Sequence, residues 1–237
     1  MSMNNQLHRV QASILNTLRH TPDARFGVLM KPTGLQSDTF KFHLRKLVRF
    51  DYVEKLETGT YRLTAKGKEF ANNIDETKRT AQHQPKLSIL LIVPRPHSKD
   101  KPEFLFQKRK RNPYFGFWSC ISGPIQWGEE AEIAAAHELK KQTGLTAACE
   151  VRAFYRKRDY DTMSQLILED TLFIILEATK VSGTLSNFWH GGHNEWMTLD
   201  EFTQQPKHFT SVCEAVDILK TGKTYISKER HYTAEEY

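Results

Sequence analysis

Apolar residues recur at helical spacing along the first third of the chain and predict three helices there. The first covers residues 7–18, the second residues 27–31, and a Pro-Thr-Gly turn at 32–34 leads to the third. The third helix lies in SDTFKFHLRKLVRF, where Ser37 or Asp38 is the expected N-cap. Its expected core face consists of Phe40, Leu44, Leu47 and Val48. Residues 52–64 then predict a β-hairpin with a tight turn at Gly59, and a further helix follows.

The rest of the chain mixes β-rich runs with helical patterns. Strands are predicted at residues 87–94, 103–108, 150–159 and 166–179. A helix is predicted at 130–142, where Gly and Pro are absent, with Gly144 as its C-terminal cap. An amphipathic helix is expected at 210–219. This order of strands and helices indicates a domain with both α and β elements.

A polar stretch, NNIDETKRTAQHQPK, separates the two patterns at residues 72–86. We therefore expect an N-terminal domain over residues 1–78, a linker over 79–85 and a second domain over 86–237. Residues 1–80 hold 14 Lys and Arg against 8 Asp and Glu, which accounts for the whole net charge of +6. This asymmetry indicates a polyanionic partner for the N-terminal domain.

Residues 123–145, GPIQWGEEAEIAAAHELKKQTGL, resemble the Nudix box, whose family pattern is G-x5-E-x7-R-E-U-x-E-E-x-G-U with U aliphatic. The positions in register are Gly123, Glu129, Glu138, Leu139, Gly144 and Leu145. Three positions depart from it: His137 replaces Arg, and Lys141 and Gln142 replace the final Glu pair. The resemblance covers residues 86–220 and implies a Nudix-like α+β (α-β-α) fold, a mixed β-sheet sandwiched by helices.

In enzymes of that family, the carboxylates on this helix face hold Mg²⁺ beside a diphosphate. Here the face carries Glu138, Lys141 and Gln142. A Lys ammonium about 4 Å from Mg²⁺ would be repelled by at most about 8 kcal/mol at an effective dielectric near 20. Lys141 is expected to pair with Glu138, as an ordinary solvated helix pair does, or to contact ligand phosphates. We therefore expect no catalytic residue, no metal and no cofactor.

The same resemblance suggests a set of ligand-binding residues. Arg109 lies where many Nudix proteins carry an Arg that faces the substrate phosphates, although the charged run at 108–111 is also typical of a solvated surface. The run Ile121-Ser122-Gly123 replaces the usual Pro-Gly-Gly. The expected ligand-binding residues are Arg109, Gly123, Glu129, Glu138 and Lys141. The expected ligand is a nucleotide-linked or phosphorylated metabolite.

The N-terminal order of helices and hairpin resembles a winged helix-turn-helix, a fold whose second motif helix enters the DNA major groove. The side chains opposite the core face are polar or basic, and Arg62 lies on the hairpin. The expected contacts to double-stranded DNA are Ser37, Thr39, Lys41, Arg45, Lys46, Arg49 and Arg62. Two half-sites imply a homodimer. A protein-docking or dimerisation role is the alternative for such a domain.

The two domains together resemble Nudix-related transcriptional regulators, so we expect a ligand-responsive, DNA-binding regulator without hydrolase activity. The alternative is an active Nudix hydrolase that cleaves a nucleoside diphosphate linked to another moiety. It would use Glu129, Glu130 and Glu138 as catalytic residues, with Mg²⁺ on Glu129 and Glu138 and with Glu169 or Glu195 as a substitute base. A non-catalytic interaction module is a third possibility.

Three further observations limit the possible functions. His190 and His193 flank a Gly-Gly pair with Glu195 beyond, which fits either a metal site or a simple loop. The three cysteines are far apart and lack the spacing of a disulfide framework or a zinc site. The apolar runs are too short for a membrane span or a signal peptide, so we expect a cytoplasmic protein without a membrane partner.

Overall fold

The protein is described by a computed structural model that covers residues 8–75, 80–81, 84–95 and 101–237. Contacts divide the chain into two compact units, Met1–Gln84 and Pro85–Tyr237. Residue 7, the expected start of the first helix, and part of the expected linker lie outside the described residues. Within the described ranges, every helix is too short or too polar to cross a membrane.

The N-terminal unit is a small helical bundle with a three-stranded sheet. Its helices are α1 (Arg9–His20), α2 (Phe26–Met30), α3 (Ser37–Arg49) and α4 (Ala65–Asn72). Its strands are β1 (Ala24–Arg25), β2 (Val53–Lys55) and β3 (Thr60–Leu63), antiparallel in the order β1-β3-β2. A two-stranded pair, β4 (Ile74–Asp75) and β5 (Thr80–Ala81), follows. The chain order is therefore helix, strand, helix, helix, hairpin, helix.

The core of this unit corrects two details of the sequence prediction. Phe40 and Leu47 are fully buried, but Val48 is 39% exposed, because its position on α3 is at the edge of the apolar stripe. The N-cap of α3 is Gln36 instead of Ser37 or Asp38, and its side chain makes no capping hydrogen bond. The backbone of Gln36 is extended, so the helix begins one or two residues earlier than expected.

The C-terminal unit contains two β-sheets. The first has five strands: β6 (Lys86–Ile92), β9 (Ile121–Pro124), β10 (Thr146–Asp161), β11 (Ile167–Ser182) and β14 (Tyr225–Tyr232), in the order β14-β10-β11-β6-β9. The second has β7 (Glu103–Arg109), β8 (Trp118–Ser119), β12 (Phe188–Trp189) and β13 (Gly192–Thr198), in the order β12-β13-β7-β8. The first sheet is mixed, because β10–β14 and β11–β6 are parallel pairs and the others are antiparallel.

The helices of this unit are α5 (Ala131–Thr143), α6 (Leu199–Thr203) and α7 (Thr210–Thr221). Each face of the five-stranded sheet forms its own core, since neighbouring side chains of a strand point to opposite faces. Ile89 and Leu91 of β6 pack in the core with α5. Leu90 and Ile92, between and beside them, pack in the other core with the second sheet and α7. The mixed α+β architecture predicted for this unit is confirmed.

The predicted strands and helices of this unit are present, with bounds shifted by a few residues. The strands β10 and β11 are longer than predicted, and they form a 16-residue by 16-residue hairpin. The strand β14 was not predicted. Its sequence, YISKERHY, is mostly polar, because it pairs with one neighbour at the sheet edge and leaves most of its side chains exposed.

Candidate functional site

The helix α5 carries the box and rests on the sheet through Ala134, Ala135 and Leu139, which are buried. Gly144 ends it with φ of 77°, a left-handed conformation that favours glycine at a helix C-terminus. The predicted helix and its cap are therefore confirmed. Glu130 is the N-cap residue and makes no side-chain capping bond.

Glu138 is held against the neighbouring strand β9. Its side chain is only 12% exposed. A Cβ atom added at Gly123 would lie 2.6 Å from Glu138 Cγ, so any other residue at 123 would displace the carboxylate. The glycine that opens the box thus makes room for the glutamate at its centre.

Two neighbours on α5 donate hydrogen bonds to the Glu138 carboxylate. Lys141 Nζ donates to Glu138 Oε1 at 2.9 Å and to Oε2 at 3.3 Å. Gln142 Nε2 donates to Glu138 Oε2 at 2.6 Å and to the Ser122 carbonyl at 2.9 Å. A glutamate at 142 would have no proton to donate, so the amide ties α5 to β9 in a way that the family residue cannot.

Glu129 makes a separate contact with His137. Glu129 Oε1 lies 2.9 Å from His137 Nδ1, and Glu129 Oε2 accepts from the backbone N–H of Gln126. The Gln126 hydrogen bond and the His137 contact lower the pKa of Glu129 below its ordinary value. His137, which replaces the family Arg, therefore takes a carboxylate partner within the box itself.

The residues present do not fit the Mg²⁺ that the box holds in family enzymes. Glu138 already accepts three hydrogen bonds from a cation and an amide, and Glu129 is bonded elsewhere. In the described part of the chain, no group of three or more His, Cys, Asp or Glu side chains is placed to hold a metal ion. An oxygen-rich face of the kind that Mg²⁺ prefers is missing from α5.

A cavity of about 310 Å³ lies on the other face of the five-stranded sheet, between β6, β10 and β11 on one side and α7 and the 111–114 loop on the other. Its lining carries four cations and one carboxylate, Glu169, together with aromatic rings. The cations are Lys86, Arg109, Arg111 and Lys157, and the rings belong to Tyr114, Tyr155, Phe173 and Phe209. This composition suits an anionic ligand with an apolar or ring-bearing part.

A buried ion pair lies beneath this cavity. Lys157 Nζ donates to Asp159 Oδ2 at 2.6 Å, and Tyr114 Oη donates to the same oxygen. The Lys157 ammonium also lies 4.4 Å from the ring centroid of Phe209 and 4.9 Å from that of Tyr114. Burial lowers the pKa of Lys157 and raises the pKa of Asp159. Asp159 Oδ1 is buried and finds no hydrogen-bond partner among the described residues.

Sequence reasoning missed this pair. The signal lies in the alternation of RAFYRKRDYD, which places Ala153, Tyr155, Lys157 and Asp159 on one face of β10. A lysine and an aspartate in the same alternation as core residues indicate a buried pair. The partner Tyr114 is 45 positions away, so only the fold brings it to Asp159.

The predicted ligand residues fall into two groups. Arg109 and Gly123 line the cavity, whereas Glu129, Glu138 and Lys141 are not part of its lining. Arg109 Nε donates to the Pro113 carbonyl at 3.0 Å, and burial followed by the charge of Arg111 lowers its pKa. Glu169, considered above as a substitute base, also lines the cavity, but Lys86 donates to it at 2.9 Å.

His190 and Gly191 form the turn of the hairpin between β12 and β13, and Gly192 begins β13. His193 Nε2 lies 3.6 Å from Glu195 Oε2, and no third ligand group joins them among the described residues. The Trp189 ring lies directly on the backbone of Gly191, where an added Cβ would come within 2.0 Å of a ring carbon. The turn therefore requires a glycine at 191, because the Trp189 ring occupies the space of a side chain there.

The N-terminal unit gathers most of its predicted DNA-contacting residues on one exposed surface of α3: Ser37, Thr39, Lys41, Arg45, Lys46 and Arg49. A groove between α3 and the β2–β3 hairpin is lined by Lys41, Arg45, Arg49 and Lys55. Lys55 lies over the Tyr61 ring at 5.9 Å and was not predicted. Arg62 is outside this groove lining and donates to Glu54 at 2.6 Å, a bond that raises its pKa.

Comparisons with known proteins identify the family of the C-terminal unit. A mutator MutT protein from Bacillus halodurans is 20% identical, with a TM-score of 0.51 over 64% of this chain and 93% of that one. The NUDIX domain of Shewanella oneidensis NrtR, complexed with ADP ribose, is 16% identical, with a TM-score of 0.49 over 65% and 97%. No match is found among curated proteins. The family model of the NUDIX domain matches residues 85–213, more than half of the chain, and the chain therefore belongs to the Nudix family.

Proposed function

We propose that the protein is a ligand-responsive transcriptional regulator whose Nudix domain binds a nucleotide-linked or phosphorylated metabolite without hydrolysing it. One observation carries this proposal: Lys141 and Gln142 occupy the Glu138 carboxylate that would otherwise hold Mg²⁺. Hydrolysis of a phosphoanhydride in this family depends on that metal. The box keeps its glycines and its helix, but its Glu138 carboxylate is hydrogen-bonded to protein side chains. This arrangement supports ligand binding without hydrolysis.

The cavity supports the ligand class. Lys86 is paired with Glu169, and Lys157 with Asp159, so two of its four cations are already compensated. The guanidinium groups of Arg109 and Arg111 form no ion pair with a described acidic side chain. A phosphate group can accept hydrogen bonds from both guanidinium groups and would neutralise their charge.

The N-terminal unit supports a DNA-binding role. Its element order, helix, strand, helix, helix and hairpin, is that of a winged helix-turn-helix, in which α3 would be the recognition helix. The exposed basic residues Lys41, Arg45 and Arg49 lie on that helix. In this proposal the protein acts as a homodimer on two half-sites, and the ligand shifts DNA affinity by binding one state better than another.

The decisive enzymatic test is turnover of a nucleoside diphosphate panel, with ADP-ribose, NAD, sugar nucleotides and dinucleoside polyphosphates, in Mg²⁺ and Mn²⁺. The wild-type protein is expected to release no product, while at least one compound raises its melting temperature. A Glu138→Gln variant is the control. Turnover by the wild type that this variant abolishes would contradict the proposal and establish the hydrolase alternative with Glu129, Glu130 and Glu138.

The DNA-binding test compares Lys41→Ala and Arg45→Ala with the wild type on DNA from the upstream region of its own gene. Each variant should weaken binding and lower the slope of log K against log salt by about one, since one phosphate contact is lost. Lys68→Ala, on α4 and outside the α3 groove, is the matched control. Unchanged affinity in both α3 variants would contradict the assignment of α3.

A further inference from the structure

One aromatic residue lies on the exposed side of α3, among polar and basic side chains. Phe42 is 63% exposed. It follows Phe40 by two positions and precedes Leu44 by two, and both of these residues are buried. A helix of 3.6 residues per turn therefore points Phe42 away from the core. Among the described residues, the core of the N-terminal unit does not include it. Packing within the unit does not account for an aromatic ring at this position.

Phe42 belongs to the basic face of the helix. Arg45, Lys46 and Arg49 follow it at i+3, i+4 and i+7, the spacing that places side chains on the same side of a helix, and all three are exposed. The ring of His43 meets the Phe42 ring edge-on, with 5.4 Å between the ring centroids. This contact helps to orient the Phe42 ring. The face therefore presents one oriented ring among three cations.

The charge of this face selects the kind of partner. Asp38 is the only acidic residue of α3, and its carboxylate pairs with Lys41 Nζ at 3.1 Å. Arg45, Lys46 and Arg49 form no ion pair with a described acidic side chain. A second copy of the chain docked here would bring like charges together, and an apolar partner would leave the cations without counter-charges. The face therefore fits a polyanion that also offers an apolar contact to the ring.

The major groove of DNA offers both contacts. Phosphates line its two edges, and each A·T pair exposes one apolar group in it, the 5-methyl group of thymine. A recognition helix places its outward side chains against the base edges, and phenylalanine is one of the side chains that contact this methyl group. On α3 the outward apolar side chain is Phe42, and the neighbouring cations would contact the phosphates.

We propose that Phe42 is a specificity-determining residue that packs against the 5-methyl group of a thymine in the major groove. This inference rests on the proposed function and deepens it, because it assigns base recognition to an uncharged residue. Arg45, Lys46 and Arg49 then position the helix through phosphate contacts, and Phe42 selects the base pair. Each half-site of the target DNA would carry a thymine opposite Phe42.

The experiment measures binding of the full-length protein to the DNA fragment upstream of its own gene, amplified once with dTTP and once with dUTP. Uracil keeps the base pairing and removes only the 5-methyl group. The wild type should bind the uracil fragment about 4-fold more weakly for each half-site, which corresponds to one buried methyl group at about 0.8 kcal/mol. Phe42→Ala should bind the two fragments equally, because the ring that contacts the methyl group is gone.

Salt dependence separates a base contact from a phosphate contact. Phe42→Ala should weaken binding to the thymine fragment and leave the slope of log K against log salt unchanged, whereas Arg45→Ala should lower that slope by about one. Phe115→Ala is the matched control, since it removes a phenylalanine of the C-terminal unit that is 60% exposed. This variant should bind both fragments as the wild type does.

The outcomes distinguish the two proposals. A wild type that binds both fragments equally would overturn the thymine contact and leave the DNA-binding role intact. Discrimination by Phe42→Ala equal to that of the wild type would assign the methyl effect to another residue and overturn the inference. Equal weakening on both fragments, with a changed oligomeric state in analytical ultracentrifugation, would make Phe42 a protein contact instead. A wild type that binds neither fragment would overturn both proposals.

Discussion

The two faces of the five-stranded sheet differ in how their charged side chains are paired. Beneath α5, Glu138 is surrounded by Lys141 and Gln142, and the face is closed by hydrogen bonds within the box. On the other face, Lys157 and Asp159 are buried below an open cavity, and Arg109 and Arg111 line it without acidic partners. In the proposed function the family motif therefore serves as structure, and the cavity arginines supply the positive charge for a ligand.

The largest expected effect is the loss of stability when the buried Lys157–Asp159 pair on the cavity face is broken. Lys157→Met should lower the free energy of unfolding by about 3–5 kcal/mol, because it leaves the Asp159 carboxylate buried with one tyrosine hydroxyl. Urea unfolding measures it. Arg158→Met, one residue away and paired with Glu229 at the surface, is the matched control and should cost less than about 1 kcal/mol.

The double variant Lys157→Met/Asp159→Leu sharpens this result. It removes both charges and should recover most of the lost stability, since a buried pair is replaced by apolar side chains of similar size. A double variant as unstable as Lys157→Met alone would mean that packing of the lysine stem, and not the unpaired carboxylate, causes the loss.

On the box face, Gln142→Glu should destabilise the protein by about 1–3 kcal/mol. It removes the donor to the Ser122 carbonyl and places a second carboxylate next to Glu138. In Lys141→Glu/Gln142→Glu, three carboxylates share one helix face, so Mg²⁺ should raise the melting temperature of this variant and leave the wild type unchanged. Equal Mg²⁺ stabilisation of the two proteins would contradict the structural role of the box.

Gly123→Ala directly tests the close packing of Glu138 against Gly123. The added Cβ would lie 2.6 Å from Glu138 Cγ, so a loss of about 1–3 kcal/mol is expected in urea unfolding. In a Glu138→Ala background the same substitution should cost much less, because the clashing atoms are gone. Equal costs in both backgrounds would assign the effect to the backbone of β9 instead.

The smallest effect concerns pH. The folded-state pKa of Glu129 is lowered, so its contribution to stability is present above the unfolded-state value and is lost as pH falls through the folded-state value. In His137→Ala, an NMR titration should show the Glu129 pKa moving up towards its ordinary value. An unchanged pKa would mean that the Gln126 backbone N–H alone lowers it.

The sequence predicted the box face better than the cavity face for a physical reason. The α5 helix, its Gly144 cap and the Glu138–Lys141 pair depend on residues within one turn or two of each other, which spacing alone reveals. The role of Gln142 depends on Ser122, on a different strand, and was not foreseen.

The cavity is assembled from β6, β10, β11, α7 and the loop after β7, and no local pattern connects them. Tyr114 reaches Asp159 only because the loop after β7 folds over β10. The polar strand β14 escaped prediction because an edge strand needs little apolar sequence. Apart from this edge strand, the missing information was therefore the contacts between residues that are distant in the sequence.

The most direct test of the central claim is calorimetric titration of ADP into the full-length protein, once with chelator and once with Mg²⁺. If the cavity arginines provide the positive charge for the ligand, the dissociation constant should be the same in both conditions, and no heat of hydrolysis should follow. Binding that appears only with Mg²⁺ would contradict the account, because the ligand would then depend on a metal that the box is proposed not to hold.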